Sequence, residues 1–539
     1  MRKNVAIGTI ASFMLPLLSI SSLHAQPLAI GTAKVSVDQP GPKIDRNIFG
    51  QFAEQLGKGI YEGVWVGPDS SIPNIRGIRS DVVTALKALK VPNVRWPGGC
   101  FADQYNWRNG IGPAGKRPVT YNINWGNPVE PNSFGTDEFM DFVGQIGSEA
   151  YISVNVGSGS PREAAEWLEY LTTDKPTALG QERAANGHPK PYKVKFLGIG
   201  NETWDCGGNL SADAYVAELN RHLTFVKNLN PAQSGPLPRF MRGPDPMVRI
   251  AVGPPDTDTI YTEAVMKAYR SSARTGGNFE GLSLHHYTSG LQGSMMEPAT
   301  GFAEQDWAQL VHNAYDMDRL IAQNSALMDK YDPKKQVALV VDEWGNWLKP
   351  LAGTPVLYIQ QQNSIRDAVT AAINLNIFTR HADRVRMANI AQMVNVLQSM
   401  ILTDGPKMIL TPTYHVFRMY VPFQDATVLP IEVNAGRYVF EKIDLPRVDA
   451  IAARGTDGKI WLAMTNLDAG TAAEFDLSLS GVTAKGAVGE TLTADRIDSI
   501  NNFEKPATVA PRSYKASANA GKLHLKLPPR SVTVMEVQQ

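Results

Sequence analysis

The stretch KFLGIGNETWDCGG, residues 195–208, joins a short apolar run to an abrupt polar end. The run stops at Asn201 and Glu202, and Trp204 and Cys206 follow closely. A near-continuous apolar run of this length is typical of a strand that is buried on both faces, as in a parallel sheet. Polar side chains directly after such a strand lie at its carboxyl end, where α/β proteins bind their ligands.

Eight strand candidates of this kind alternate with helix-like stretches. They are segments 47–57, 91–99, 149–159, 193–202, 248–256, 281–288, 336–345 and 385–395. Alternation of strands and helices over about 350 residues indicates a parallel sheet, and the number eight favours a barrel. A doubly wound open sheet is the alternative. We therefore predict an α/β fold with a (β/α)₈ TIM barrel over residues 44–397.

The remaining chain has a different pattern. From about residue 400, short alternating segments such as KIWLAMTNLD (459–468) are separated by turn residues, which indicates an antiparallel β-sandwich. LAIGTAKVSVD (28–38) alternates in the same way and is predicted to add a strand. The accessory β-sandwich domain would then combine residues 26–43 with residues 398–539.

The first 25 residues have the pattern of a secretory signal peptide. Arg2 and Lys3 precede an apolar stretch (5–20), and cleavage would follow Ala25. A membrane anchor is the alternative. We expect a secreted or periplasmic protein, in a compartment that permits disulfides. No later segment has ~18 uninterrupted apolar residues, so we expect no membrane span.

The charge balance limits the partners. Lys+Arg and Asp+Glu both total 52, so the formal net charge is zero. Such a chain has no basic field that would attract nucleic acid or anionic lipid. We therefore expect neither as a partner.

Two glutamates are the strongest candidates for chemistry. Glu202 and Glu343 end the fourth and seventh strand candidates, FLGIGNE and ALVVDE. In a closed barrel these two strand ends face each other across the mouth. Glycoside hydrolysis needs such a pair of carboxyl groups, one protonated to serve the leaving oxygen and one ionised. Ion pairs near the strand ends are the structural alternative.

Several motifs together resemble glycoside hydrolase family 51, the retaining α-L-arabinofuranosidases. They are FGQFAEQLG (49–57), NVRWPGG (93–99), YNWRNGIGP (105–113), GNETW (200–204), SLHHYT (283–288) and DEW (342–344). The resemblance implies an exo-acting glycosidase that releases terminal non-reducing α-L-arabinofuranosyl residues from arabinan, arabinoxylan or their oligosaccharides by double displacement. It implies no metal and no organic cofactor, because both reacting groups are carboxyls.

The resemblance also implies roles for single residues. Glu202 would be the general acid/base and Glu343 the nucleophile. Asn201 could bond a hydroxyl beside the anomeric carbon. Further sugar-binding positions would be Glu54, His285, Tyr287 and Gln392. Cys100 stands where the family often has a sugar-binding Asn, so hydroxyl recognition should differ in detail, and Gln55 stands where the family often has His.

Each of these residues has a structural alternative. Glu54 could instead pair with Lys58 or Arg95, and His285 could be a hydrogen-bonded core histidine. A zinc site at HHY (285–287) is rejected, because the chain has no HExxH motif and no Cys/His cluster.

The tryptophans and cysteines complete the predicted site. Trp96 and Trp204 are expected to line the pocket, where they could stack on sugar faces, although tryptophan is more often part of the core. Cys100 and Cys206 follow the second and fourth strands and are predicted to form a disulfide, provided their Cα atoms lie within ~7 Å. Two unrelated thiols are the alternative.

Two rival functions remain from the sequence. The same clan of barrels contains β-xylosidases and endo-β-1,4-glucanases or xylanases, which share the two carboxylates. A non-catalytic carbohydrate-binding protein is the other rival. The sequence also leaves open whether the chain forms a homo-oligomer, as members of the family often do.

Overall fold

Eight parallel strands close into a barrel in the computed structural model, which describes Met1 and residues 31–235, 242–271 and 277–539. In chain order the strands are Gly50–Phe52, Asn93–Trp96, Glu149–Val154, Phe196–Ile199, Val248–Ala251, Gly281–Thr288, Ala338–Asn346 and Val385–Ile390. The eighth strand pairs with the first through Asn389 and Gly50. The predicted barrel is therefore confirmed, and the open sheet is wrong. Residues 2–30, which carry most of the expected signal peptide, lie outside the described residues.

Helices follow the strands, and the sequence sets several of their starts. They are Ser80–Ala88, Thr136–Ile146, Pro161–Thr172, Ala178–Ala185, Ala212–Phe225, Pro231–Ser234, Thr259–Lys267, Glu304–Asn313, Asp316–Tyr331, Ile365–Arg380 and Pro412–Met419. Ser160 caps one of them by accepting a hydrogen bond from the Glu163 N–H, with Pro161 at the first helical position. Among the described residues, none of the helices has the length and apolar character needed to cross a membrane.

The accessory domain is a ten-stranded sheet with its own apolar core. In spatial order its strands are Thr427–Leu429, Val448–Arg454, Ile460–Asn466, Ser531–Gln538, Gly486–Leu492, Arg512–Asn519, Lys522–Leu527, Ala473–Leu479, Gly31–Val35 and Ile431–Asn434. The strand Gly31–Val35 pairs parallel with Ala473–Leu479, whereas the other pairs are antiparallel. The accessory β domain is confirmed, with this one parallel pair inside it.

The barrel and the accessory domain share buried polar contacts. Asp449 accepts hydrogen bonds from Asn376 (2.6 Å), Tyr315 (3.0 Å) and Arg380 (3.1 Å). Helix Pro412–Met419 packs against the barrel helix Ile365–Arg380 although it follows residue 397. The division between residues 397 and 398 stays a prediction.

Two-stranded pieces and short helices complete the chain. The pairs are Asn74–Ile75 with Ile78–Arg79, Thr120–Tyr121 with Val129–Glu130, Ile401–Asp404 with Lys407–Leu410, and Arg437–Phe440 with Ile443–Pro446. The 3₁₀ helices are Arg46–Phe49, Cys100–Asp103, Trp107–Gly110, Ala114–Lys116, Val356–Tyr358 and Val421–Phe423. Of these, Cys100–Asp103 lies directly after the second barrel strand, on the face where the polar strand ends meet.

Candidate active site

The two glutamates meet at the carboxyl ends of the barrel strands. His285, on the sixth strand, lies between them: its Nδ1 is 2.8 Å from Glu202 Oε1 and 3.6 Å from Glu343 Oε2. One carboxylate oxygen of each glutamate and one imidazole nitrogen all lie within 4.8 Å of one another. The structure therefore brings together the residues that the sequence placed on three different strands.

A β-bulge in the seventh strand turns two consecutive side chains inward. Ser283 and His285 on the sixth strand pair with Val340 and Glu343, so the seventh strand has one extra residue at this point. Successive side chains of a regular strand point to opposite faces, and a bulge relieves that constraint. Asp342 and Glu343 are both buried and both form ion pairs with Arg95, over 3.5 and 2.7 Å, from inside the barrel.

Arg95 is the fixed cation at the base of the site. It is 1% exposed, and its Nη1 lies 2.7 Å from Glu343 Oε1 while its Nη2 donates to Asn201 Oδ1. Burial opposes its charge, but Glu343 and Asp342 outweigh that effect and raise the pKa of Arg95 above its usual range. Arg95 thus orients one carboxylate and one amide together.

Glu343 is held at both carboxylate oxygens. Arg95 contacts Oε1, and the Tyr287 hydroxyl donates to Oε2 over 2.7 Å. Charge-assisted hydrogen bonds of this kind fix the direction of a carboxylate. The side chain is 6% exposed, so few other orientations are open to it.

Glu202 has a different environment. Burial raises the pKa of this carboxyl, the hydrogen bond from His285 opposes the rise, and the nearby charge of Glu343 adds to it. Its backbone lies in the left-handed region, with φ of 36°. A raised pKa suits a carboxyl for proton donation, one of the two roles that glycosidases divide between their carboxyl groups.

Asp342 and His285 form a second buried pair behind the glutamates. His285 Nε2 lies 3.3 Å from Asp342 Oδ1, and Ser283 and Tyr151 donate to the same carboxylate over 2.7 and 2.6 Å. Burial lowers the pKa of His285, but the charge of Glu343 and the hydrogen bond to Asp342 outweigh it and bring the pKa to about 10. Burial opposes the charge of Asp342, yet Arg95 and His285 lower its pKa. His285 is therefore charged at neutral pH.

Glu54 forms the other side of the site. Its Oε1 accepts hydrogen bonds from Phe101 N (3.0 Å) and Trp125 Nε1 (2.9 Å), and Gln392 Nε2 donates to Oε2 over 3.2 Å. Burial raises the pKa of Glu54 to about 7 against the effect of the Phe101 N–H. The buried Gln392 Oε1 has no partner within the described part of the chain, so it is free to accept a ligand hydroxyl.

The alternative in which Glu54 pairs with Lys58 is wrong. Lys58 Nζ lies 2.7 Å from Glu62 instead. Arg95 is directed to Glu343 and Asn201, although its charge still lowers the pKa of Glu54 from a distance.

The prediction that Trp96 lines the pocket is also wrong. Trp96 is fully buried, stacks on Phe139 with ring centroids 4.8 Å apart, and donates its indole N–H to Gln55 Oε1. Arg95 points into the barrel, so its neighbour Trp96 must point outward to the helices. Trp204 is half-buried in the turn after Glu202 and packs against the main core, which leaves its role a prediction.

Cys100 and Cys206 are joined by a disulfide in the structure, with Cα atoms 5.5 Å apart. The bond crosses from the 3₁₀ helix after the second strand to the turn after the fourth. Its two sulfur atoms lie 4.0 and 3.7 Å from Glu202 Oε2. The disulfide therefore lies directly against this carboxyl.

Four residues lie in or beside the site although the sequence did not predict them there. They are Arg95, Asp103, Trp125 and Asp342. Period-two alternation within NVRW (93–96) could have placed Arg95 inside the barrel. Trp125 and Asp103 lie on loops, where no periodicity applies, whereas alternation from the inward-facing Ala338 and Val340 could have placed Asp342 inside the barrel.

Known proteins match this chain over nearly its whole length. The family models of the α-L-arabinofuranosidase 1 domain and the α-L-arabinofuranosidase C-terminal domain match residues 85–249 and 342–531. The solved structure of the GH51 arabinofuranosidase from Xanthomonas axonopodis pv. citri has a TM-score of 0.88 at 46% identity, covering 94% of this chain and 100% of that one. The chain belongs to glycoside hydrolase family 51.

Two other relatives support the same assignment. A curated protein of Bacteroides ovatus, named intracellular exo-α-L-arabinofuranosidase, is 43% identical over 96% of this chain and 97% of its own length. The arabinose complex of the Thermotoga maritima α-L-arabinofuranosidase has a TM-score of 0.80 at 30% identity, over 94% of this chain and 100% of that one. This family 51 chain is thus a glycosidase, an α-L-arabinofuranosidase, and the non-catalytic alternative is wrong.

The expected location of the family 51 enzyme needs correction. The sequence pattern of residues 1–25 led us to expect a secreted or periplasmic protein. The Bacteroides ovatus relative is named intracellular, and this finding contradicts the expectation. Residues 2–25 of the signal pattern lie outside the residues that the structure describes, so the structure does not test the pattern. We withdraw the assignment to a secreted or periplasmic location.

Proposed function

We propose that this family 51 enzyme is an exo-acting, retaining α-L-arabinofuranosidase that removes terminal arabinofuranosyl residues from arabinan, arabinoxylan or their oligosaccharides. The observation that carries the retaining mechanism is the short distance, within 4.8 Å, between carboxylate oxygens of Glu202 and Glu343. Retaining glycosidases hold their carboxyl groups about 5–5.5 Å apart, whereas inverting enzymes leave about 6.5–9.5 Å for a water molecule. The name of the Bacteroides ovatus relative supports exo action.

The first step uses the two glutamates in opposite roles. Glu343, oriented by Arg95 and Tyr287, attacks the anomeric carbon and forms a glycosyl ester, while Glu202 gives its proton to the leaving oxygen. The raised pKa of Glu202 supports this assignment. In the second step Glu202, now ionised, takes a proton from water, whose oxygen attacks the anomeric carbon and releases Glu343.

Other residues are proposed to hold the sugar. Within the described residues Asn201 Nδ2 contacts Cys206 Sγ at 3.8 Å and has no oxygen partner, while Arg95 fixes Oδ1, so the N–H₂ can donate to the hydroxyl beside the anomeric carbon. Glu54 and Gln392 are proposed to bind further hydroxyls. The remaining proposed sugar-contact residues are His285, Tyr287, Cys100 and Trp204.

Proton NMR during hydrolysis of an aryl α-L-arabinofuranoside tests the sugar and the stereochemistry together. We expect arabinofuranose with retained configuration as the first product. Inverted product would contradict the double displacement. Hydrolysis of aryl β-xylosides at a comparable rate would favour the β-xylosidase alternative, and cleavage within unbranched xylan or glucan would favour the endo-acting one.

Two substitutions separate the glutamates. Glu343→Ala should abolish turnover of every substrate. Glu202→Ala should spare aryl glycosides with good leaving groups and lose about 10²–10⁴-fold on poor ones, the usual contribution of general acid catalysis. Wild-type rates in Glu343→Ala would overturn the assignment.

A further inference from the structure

Asp103 is a buried carboxylate that the proposed chemistry does not use. It ends the 3₁₀ helix Cys100–Asp103 after the second barrel strand and is 4% exposed. Its side chain reaches neither His285 nor either proposed catalytic glutamate through a direct hydrogen bond among the described residues. A carboxylate buried in this way needs hydrogen-bond donors that replace its lost hydration.

Three backbone N–H groups from two other loops converge on this carboxylate. Oδ1 accepts from Val156 N and Gly157 N over 2.7 and 2.8 Å, and Oδ2 accepts from Asn201 N over 2.8 Å. Val156 and Gly157 follow the third strand, and Asn201 follows the fourth. Asp103 thus joins three consecutive loops of the catalytic face.

Two glycines leave room for this arrangement. A Cβ atom at Gly207 would lie 1.8 Å from Asn201 O and 2.8 Å from Asp103 Oδ2. A Cβ atom at Gly157 would lie 2.9 Å from Asp103 Cβ. The loops can close on the carboxylate only because both positions lack a side chain.

The peptide held by Asp103 leads directly into the reacting group. Asn201 N is fixed by Asp103, Asn201 Oδ1 is fixed by Arg95, and the next residue, Glu202, has a left-handed backbone. A non-glycine residue in that region persists only when its surroundings determine it. Asp103 supplies one of the contacts that do so.

Stability does not account for a carboxylate at position 103. Burial raises the pKa of Asp103 to about 7, although the N–H groups of Gly157, Val156 and Asn201 act in the opposite direction. A folded-state pKa above the unfolded value of 3.8 means that the ionised form costs folding free energy as the pH rises towards 7. A neutral residue would avoid that cost.

We propose that Asp103 is a positioning residue whose carboxylate, by holding the Asn201 N–H, sets the direction of the Asn201 amide and of the Glu202 carboxyl. The proposal rests on the acid role proposed above for Glu202. Asp103→Asn tests it with little change of shape. The amide oxygen can keep both N–H groups of the third-strand loop, but its NH₂ would then face the Asn201 N–H, donor against donor.

The readout is the ratio of kcat/KM for a good and a poor leaving group. A displaced proton donor matters most when the leaving oxygen needs the proton, so Asp103→Asn should lose about 100-fold on an alkyl arabinofuranoside and under about tenfold on the 2,4-dinitrophenyl one. An equal loss on both substrates, or none, would overturn the proposal. If Asp103→Asn does not fold, Asp103→Ser is measured in the same way.

Two further variants make the result specific. Asp137 is another buried carboxylate, which binds the Tyr170 and Tyr192 hydroxyls away from the site, so Asp137→Asn should leave the ratio unchanged. Glu202→Ala should shift the ratio strongly. If it does and Asp103→Asn does not, Asp103 has no positioning role while the proposed function stands. If Glu202→Ala leaves the ratio unchanged, the acid assignment fails and the Asp103 proposal falls with it.

Discussion

Glu54 carries a carboxyl group where water has almost no access. The side chain is 1% exposed and accepts hydrogen bonds from Phe101, Trp125 and Gln392. Desolvation still dominates and raises its pKa to about 7. At Glu54, the free-energy cost of burying the charged carboxylate exceeds the stabilisation by its three hydrogen-bond donors.

This cost should appear in the pH dependence of stability. The folded-state pKa of about 7 exceeds the unfolded value of 4.5, so the contribution of Glu54 is fully favourable below pH 4.5 and is lost as the pH rises to 7. Relative to the wild type, Glu54→Gln should therefore gain about 3 kcal/mol of unfolding free energy between those pH values. Urea unfolding at several pH values measures it.

The exposed Glu504 offers the matched control for that experiment. Glu504→Gln should show no comparable pH-dependent difference from the wild type. A constant difference between Glu54→Gln and the wild type across the range would mean that Glu54 titrates normally in the folded protein.

The elements of the catalytic face are tied together chiefly through the loop after the second strand. The disulfide joins Cys100 to Cys206, and Asp103 binds Asn201, so both ties reach the loop after the fourth strand. Glu202 lies between the two anchored positions, 201 and 206. The hydrogen bond at Asn201 and the disulfide at Cys206 together restrict the backbone of Glu202 more than either would alone.

Removing the disulfide should lower stability measurably. The bond closes a sequence separation of 106 residues, and the double variant Cys100→Ser with Cys206→Ser should lose about 2–4 kcal/mol of unfolding free energy in urea. The chain has two cysteines. The unreduced, unfolded wild type should therefore have no titratable thiol.

Reduction provides an independent check of the same bond. Dithiothreitol should lower the stability of the wild type to that of the double variant and leave the double variant unchanged. Two thiols in the unreduced protein, or an equal effect of the reductant on both proteins, would show that the cysteines are not bonded.

The two glutamates could be predicted from their positions at strand ends, whereas other residues of the site depend on the alternation of side chains within the strands. Glu202 and Glu343 follow from the position of polar residues at strand ends. Alternation within one strand would have corrected Trp96, because Arg95 beside it faces inward. Asp342 continues the inward alternation of Ala338 and Val340, whereas the extra residue in the strand turns Glu343 to the same face, which alternation alone does not predict.

At the scale of the whole molecule, Asp449 links the barrel to the accessory sheet. It is 6% exposed and receives hydrogen bonds from Asn376, Tyr315 and Arg380, all on barrel helices or at their ends. A continuous apolar cluster that includes Leu375 and Val532 also crosses the boundary. The eight-strand count predicted the barrel, but the sequence gives no sign of these long-range contacts.

The two domains should accordingly unfold together. We expect one calorimetric transition for the wild type, and Asp449→Ala should lower the unfolding free energy by about 2–3 kcal/mol, because it leaves buried donors without an acceptor. Asp444→Ala is the control, since its pair with Arg437 is more than half exposed and contributes little. Two separate transitions in the wild type would contradict this coupling.

The strand Gly31–Val35 has a consequence for how the chain is made. Ala33 lies opposite Val433 and Leu477 in the accessory sheet, so this early strand has no neighbour in the sheet until some 400 further residues have been synthesised. At roughly 5–20 residues per second, that is a delay of about 20–80 s on the ribosome. The barrel, whose strands lie between the two partners, can assemble during this interval. The sheet that contains Gly31–Val35 and Ser531–Gln538 is then the last part of the molecule to be completed.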